Sequence, residues 1–135
     1  GRSVFGIDVA TRAASREDKF YCVEGAPDVL RLQTVDALNA VAPLGGNWTE
    51  EQFRILKKYS QNLCFIPDSD PVKDGELFGA GVKTVLKYGI VAMNMGFSVS
   101  VKEIPFTEHG HKNDPDSYIK CRADLDDLNE KDFVC

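Results

Sequence analysis

The sequence predicts an α/β fold: a mainly parallel sheet of about four strands, flanked by helices on both faces. Three observations carry that expectation. Short apolar, strand-forming runs alternate with helix-period segments along the 135 residues, and such alternation builds parallel sheets through right-handed crossovers. The length suits one domain with one well-formed core. A composition 43% hydrophobic and 27% charged is that of an ordinary globular protein and excludes disorder, collagen-like repeats and coiled coil. No apolar run approaches the ~20 residues of a membrane span; the longest, Tyr88–Met95, is interrupted by Gly89 and Asn94. Arg2, Asp8 and Arg12 stand where a signal peptide would be apolar, so no membrane partner and a cytoplasmic location are expected.

The elements follow in order. Phe20-Tyr21-Cys22-Val23 is a run of strand formers that stops at Glu24-Gly25. Pro27 suits the first turn of a helix, and Val29, Leu30 and Leu32 give it an apolar face as far as about Val35. Ala40-Val41-Ala42 is a second strand, ending at the turn Pro43-Leu44-Gly45-Gly46. Thr49 with Gln52 makes a capping box for a helix that sets Phe53, Leu56 and Tyr59 on one face. Leu63-Cys64-Phe65-Ile66 is a third strand, broken at Pro67-Asp68-Ser69-Asp70. A long helix is expected from about Gly75 to Met95, with Leu77, Val82, Val85 and Leu86 among its apolar positions. Phe97–Ile104 alternates as a fourth strand, with Phe97, Val99 and Val101 on one side, and Asp114–Lys120 reads as a short helix.

The net charge is −5, and the excess is local. Residues 1–102 carry 12 basic and 12 acidic side chains, whereas 103–135 carry 4 and 9. Such a surface does not attract nucleic acid by charge alone, unless divalent metal or a separate basic region supplies the positive charge. Position matters more than number. In an open parallel sheet, ligands bind at the carboxyl ends of the strands. Glu24 ends the first strand, Asp68 and Asp70 the third, and Asp114 and Asp116 follow the fourth after a loop. Five carboxylates so gathered repel one another, and a hard divalent cation, Mg²⁺ or Mn²⁺ rather than zinc, is their natural neutraliser.

The cysteines, Cys22, Cys64, Cys121 and Cys135, include no C-x-x-C pair, so a zinc ribbon is not expected. Cys22 and Cys64 sit in strand runs as small buried hydrophobes, and reduced thiols are expected.

Val23-Glu24-Gly25-Ala26-Pro27-Asp28-Val29, then Leu44-Gly45-Gly46, then Asp68-Ser69-Asp70, then Asp114-Pro115-Asp116 resemble, in kind and order, the TOPRIM domain shared by topoisomerases and primases. The flavour is that of bacterial DnaG-type DNA primases, and Val4-Phe5-Gly6-Ile7-Asp8 is similar to the segment that precedes the first TOPRIM strand there. The resemblance implies a TOPRIM (Rossmann-like) domain over 18–120. It leaves 1–17 as a lead-in from the preceding primase region and 121–135 as a short acidic C-terminal helix or linker. It implies nucleotidyl transfer for RNA primer synthesis on single-stranded DNA. Glu24 is then a metal ligand or a general base and acid, and Asp68 and Asp70 hold Mg²⁺ or Mn²⁺ against a nucleoside triphosphate. Asp28, Asp114 and Asp116 form a possible additional acidic site, with Gly25, Gly45 and Gly46 in turns nearby. The partners implied are nucleoside triphosphates, the single-stranded DNA template and a replicative helicase; the isolated domain is expected to be a monomer and inactive alone.

Plainer readings stand beside these. Glu24 and Asp28 can serve the N-terminus of the following helix, Asp68-Ser69-Asp70 can be a solvated turn between Pro67 and Pro71, and Asp114-Pro115 is a common helix start. His109 and His111 read as exposed loop, and Lys57, Lys58, Lys73, Lys83 and Lys87 as amphipathic helix surface. Two other functions share the acidic edge: a TOPRIM nuclease or topoisomerase fragment, and a Mg²⁺-dependent phospho-receiver module with Lys102 in its lysine position. A receiver, however, has a second acid where Gly25 follows Glu24.

Overall fold

Residues 3–69, 80–107 and 111–133 are described by the computed structural model. In chain order the strands are β1 (Val4–Phe5), β2 (Phe20–Cys22), β3 (Ala40–Pro43), β4 (Asn62–Phe65), β5 (Ser98–Lys102) and β6 (Glu130–Asp132). The helices are α1 (Ile7–Glu17), α2 (Ala26–Thr34), α3 (Glu50–Leu56), α4 (Ala80–Asn94), α5 (Pro115–Tyr118) and α6 (Arg122–Asp126). All the strands join one sheet in the order β1-β3-β2-β4-β5-β6.

The four strands expected from the apolar runs are the parallel centre of this sheet, with Cys22 opposite Val41 and Phe65, and Phe65 opposite Val101. Two antiparallel edges bring the total among the described residues to six: Val4 pairs with Pro43, and Ser100 with Asp132. Their sequences hid them. β1 is two residues long, and β6 is Glu-Lys-Asp, exposed throughout. Charged, short edges guard a sheet against pairing with other chains, and they carry no apolar alternation to read. Of the segment 121–135, expected as a short acidic helix or linker, the described residues 121–133 are therefore a helix followed by a sheet edge. Residues 4–17 are likewise built into the same core, since Ala10, Ala13 and Ala14 of α1 are buried.

Side chains alternate between two apolar layers. Phe20, Cys22, Val41, Leu63, Phe65 and Val99 face one side, where α1, α3 and α4 cover them through Ala14, Phe53, Leu56, Val85, Tyr88 and Ala92. Tyr21, Val23, Ala40, Ala42, Cys64 and Ile66 face the other, under Val29 and Leu32 of α2, Leu125 of α6, and Ile119. Cys22 and Cys64 thus sit on opposite faces of neighbouring strands, and with exposed Cys121 they are free thiols; Cys135 lies outside the described residues. Among the described residues no helix is long and apolar enough to cross a membrane.

Local signals act as expected at two starts. The Thr49 hydroxyl accepts the Gln52 N–H while the Gln52 amide oxygen accepts the Thr49 N–H, closing the capping box of α3. Asp114 caps α5 by accepting the Ser117 N–H at 2.8 Å. Tyr59 departs from expectation: α3 ends before it, and it is exposed in the following turn. The start of the long helix, including Gly75 and Leu77, lies outside the described residues.

Candidate metal centre

Glu24 and Asp68 come together because β2 and β4 are parallel neighbours whose carboxyl ends lie at the same edge. The Asp68 N–H donates to Glu24 Oε2 at 2.9 Å, so the two chain segments are tied across 44 residues of sequence. Asp68 is held from the other side as well. Its neighbour Ser69 exchanges backbone hydrogen bonds with Asn113 at 2.9 and 3.0 Å, which seats the turn after β4 against the loop before α5. Lys112 brings its Nζ within 3.8 Å of Asp68 Oδ2. The other carboxylate oxygen, Oδ1, is buried and has no hydrogen-bond partner.

The remaining acids are satisfied within the fold. Asp28, in the first turn of α2, is buried to 7% exposure, and its Oδ1 accepts the Asp116 N–H at 2.9 Å. Asp116 pairs with Arg31 Nε at 3.2 Å. Asp114 spends Oδ1 on the cap of α5. Gly25 is the extended residue before α2, and Gly45 and Gly46 form the turn beyond β3 at the same sheet edge, both with positive φ. Asp70 and His109 lie outside the described residues, and His111 is exposed in its loop.

Electrostatics single out the same pair. Burial, and then the hydrogen bond with and repulsion from Glu24, push the Asp68 carboxyl up to about 8; Asp28 adds repulsion, and Lys112 opposes it. Asp28 is pushed up to about 6, chiefly by burial and then by Asp114, Asp116 and Glu24, against the pull of the Asp116 N–H. Carboxyls held protonated chiefly by burial, with neighbouring acids adding to it, mark a place where a cation would be stabilised.

Among the described residues no three His, Cys, Asp or Glu side chains are arranged to hold a metal ion. Glu24 and Asp68 nonetheless fit a hard divalent ion in donor type, since both are carboxylates. The buried, unpartnered Oδ1 is an acceptor with its lone pairs uncommitted.

Arg31 and Lys112 escaped the sequence reading. Arg31 lies three residues after Asp28 and so shares its helix face, a signal that was available. Lys112 meets Asp68 only through the Ser69–Asn113 bridge, which no local pattern announces. Of the lysine cluster, Lys57 donates to the Met95 carbonyl and lies over the Phe97 ring, and Lys73 is outside the described residues. Lys102 is buried to 5% exposure, and its Nζ donates to the Leu125 carbonyl at 2.9 Å.

A parallel-centred sheet with acids from two strand ends meeting at its carboxyl edge defines an α/β domain with an acidic strand-end site. The family described as Toprim-like matches residues 21–119, and the chain belongs to that family. It is similar to the DNA primase of Staphylococcus epidermidis, 27% identical over 119 residues that make up 88% of this chain and 18% of that protein. A DNA primase of Staphylococcus aureus is 27% identical over 116 residues, 86% of this chain and 17% of the relative. The chain therefore spans less than a fifth of the length of these curated relatives. Among solved structures, the zinc-binding and RNA polymerase domains of Aquifex aeolicus primase superpose with a TM-score of 0.77 at 27% identity, covering 96% of this chain and 30% of that one. A DNA primase domain from Pseudomonas aeruginosa gives 0.71 at 24% identity, covering 98% and 40%.

Proposed function

We propose that this chain is the metal-binding catalytic unit of a DNA primase, acting in nucleotidyl transfer for RNA primer synthesis on single-stranded DNA. The observation that carries the reading is the Glu24–Asp68 pair, with one buried carboxylate oxygen unpartnered at the carboxyl edge of the parallel strands. The likeness to DNA primases supports this choice over a nuclease or topoisomerase fragment built on the same acids.

Glu24, Asp68 and Asp70 would hold Mg²⁺ or Mn²⁺. The bound ion would neutralise charge on the triphosphate and orient the attacking and leaving oxygens. Glu24 would also take a proton from an attacking hydroxyl. Asp28 is a positioning residue in this scheme, since its carboxylate holds the start of α5 through the Asp116 N–H. Template, nucleoside triphosphates and a replicative helicase are the partners proposed for the full-length protein. Basic surface for the template would come from outside this chain, whose own net charge is −5. A cytoplasmic monomer is the proposed state of the isolated unit, and free Cys22, Cys64 and Cys121 fit a reducing compartment.

Titration calorimetry with Mn²⁺ tests the reading on the protein and its Asp68→Asn/Asp70→Asn variant. Saturable binding that the variant loses, with circular dichroism unchanged, is the expected result. Equal binding by both proteins would reduce the two aspartates to a solvated turn and overturn the assignment.

A further inference from the structure

Next to Asp68 lies a cavity of about 350 Å³ whose other walls include Pro67, Glu103, Ile104, Pro105 and Phe106. We infer that this cavity receives the base of a nucleotide, with the Phe106 ring as its stacking platform; the inference rests on the nucleotidyl-transfer reading above.

Phe106 is 49% exposed, a large apolar ring left in solvent beside a hollow instead of in either core layer. Its backbone is fixed on both sides. The Pro105 carbonyl accepts from Asn113 Nδ2 at 3.0 Å, and Thr107 N–H donates to the His111 carbonyl at 3.1 Å. The platform is thus pre-organised by the same Asn113 that seats the Asp68 turn, which lowers the ordering cost of binding.

The lining selects the ligand's chemistry. Among the described lining residues the ionisable groups are the acids Asp68 and Glu103 and none is basic, so the cavity itself offers a phosphate no cationic partner. Pro67, Ile104, Pro105 and Phe106 offer apolar walls to something neutral, flat and partly polar, and a nucleobase answers that description. Because Asp68 belongs to both the cavity and the proposed cation site, one nucleotide can reach both, with its phosphates at the metal and its base against Phe106.

The test is equilibrium binding of GTP and of inorganic tripolyphosphate, each with Mn²⁺, to the protein, Phe106→Ala and Phe106→Trp. Loss of a stacked ring is expected to weaken GTP binding about tenfold or more in Phe106→Ala while tripolyphosphate binding stays unchanged. The added emission of Phe106→Trp, over that of buried Trp48, is expected to be quenched by GTP and not by tripolyphosphate. Equal GTP affinity in Phe106→Ala and the parent protein overturns the base site. So does quenching by oligothymidylate without quenching by GTP, which would give the platform to a nucleic-acid strand. If the parent protein binds tripolyphosphate but GTP no tighter, the base site alone falls; if it binds neither, the nucleotidyl-transfer reading falls with it.

Discussion

Replacing Asp68 by asparagine should make the metal-free protein more stable at pH 8, and the size of the gain follows from the site. Asp68 keeps its proton up to about 8 in the folded protein, against an ordinary aspartate value of 3.8, because it is buried beside Glu24. Its side chain is only 16% exposed, so solvent does little to screen it. Between about pH 4 and 8 the unfolded chain has released this proton and the folded one has not. The contribution of Asp68 to stability is therefore greatest below pH 4 and is lost as pH rises to 8. From pH 5 to 8 the proton linkage of a single such group amounts to about 3 kcal/mol, a large part of an ordinary domain's stability. Asparagine matches the protonated acid in shape and carries no charge at any pH. The two proteins should melt together at pH 5 in EDTA and diverge by roughly 10 °C at pH 8, with the variant higher. Thermal denaturation followed by circular dichroism across that range measures the gap. Parallel melting profiles from pH 5 to 8 would refute the electrostatic account of the site.

Three further outcomes follow from single contacts. Asp28→Ala strands the part-buried Asp116 N–H while Asp28→Asn keeps an acceptor, so urea unfolding should find the alanine variant about 1 kcal/mol the weaker of the two; equal midpoints would show that this hydrogen bond does not matter. Asp114→Ala removes the cap of α5 at a cost of about 1 kcal/mol and should leave Mn²⁺ affinity unchanged in calorimetry, since its oxygen is committed to Ser117. Gly6→Ala should cost about 1–3 kcal/mol in chemical denaturation, because φ is +85° and a Cβ there would stand 3.0 Å from both the Ala40 carbonyl oxygen and Val29 Cγ1; a neutral result would mean that the junction between β1 and α1 shifts freely.

Much of the fold was legible because its signals are local. The apolar runs at 20–23, 40–42, 63–66 and 97–104 became the parallel centre, as strands covered on both faces must be apolar. Thr49 with Gln52 and Asp114 with Pro115 announced two helix starts through chemistry confined to four residues. The edge strands escaped because an edge needs no apolar face, and Glu130-Lys131-Asp132 reads as solvated charge whether or not it pairs with β5. The order of β3, β2, β4 and β5 is likewise a matter of packing between segments that no single segment records.

The acids divide along the same line. Their kind, order and placement at strand ends are written in the sequence, and so is the Toprim-like resemblance they carry. Which of them is left with a lone pair to offer is not. Asp28 is committed by a backbone N–H 88 residues away and Asp116 by Arg31 at a separation of 85, while the Asp68 N–H that brings Glu24 to Asp68 comes from 44 residues away. Only the folded chain brings those partners together. Because a buried carboxylate's charge depends on what surrounds it, tertiary structure alone separates the acids tied into the fold from Asp68, which keeps one buried oxygen unpartnered.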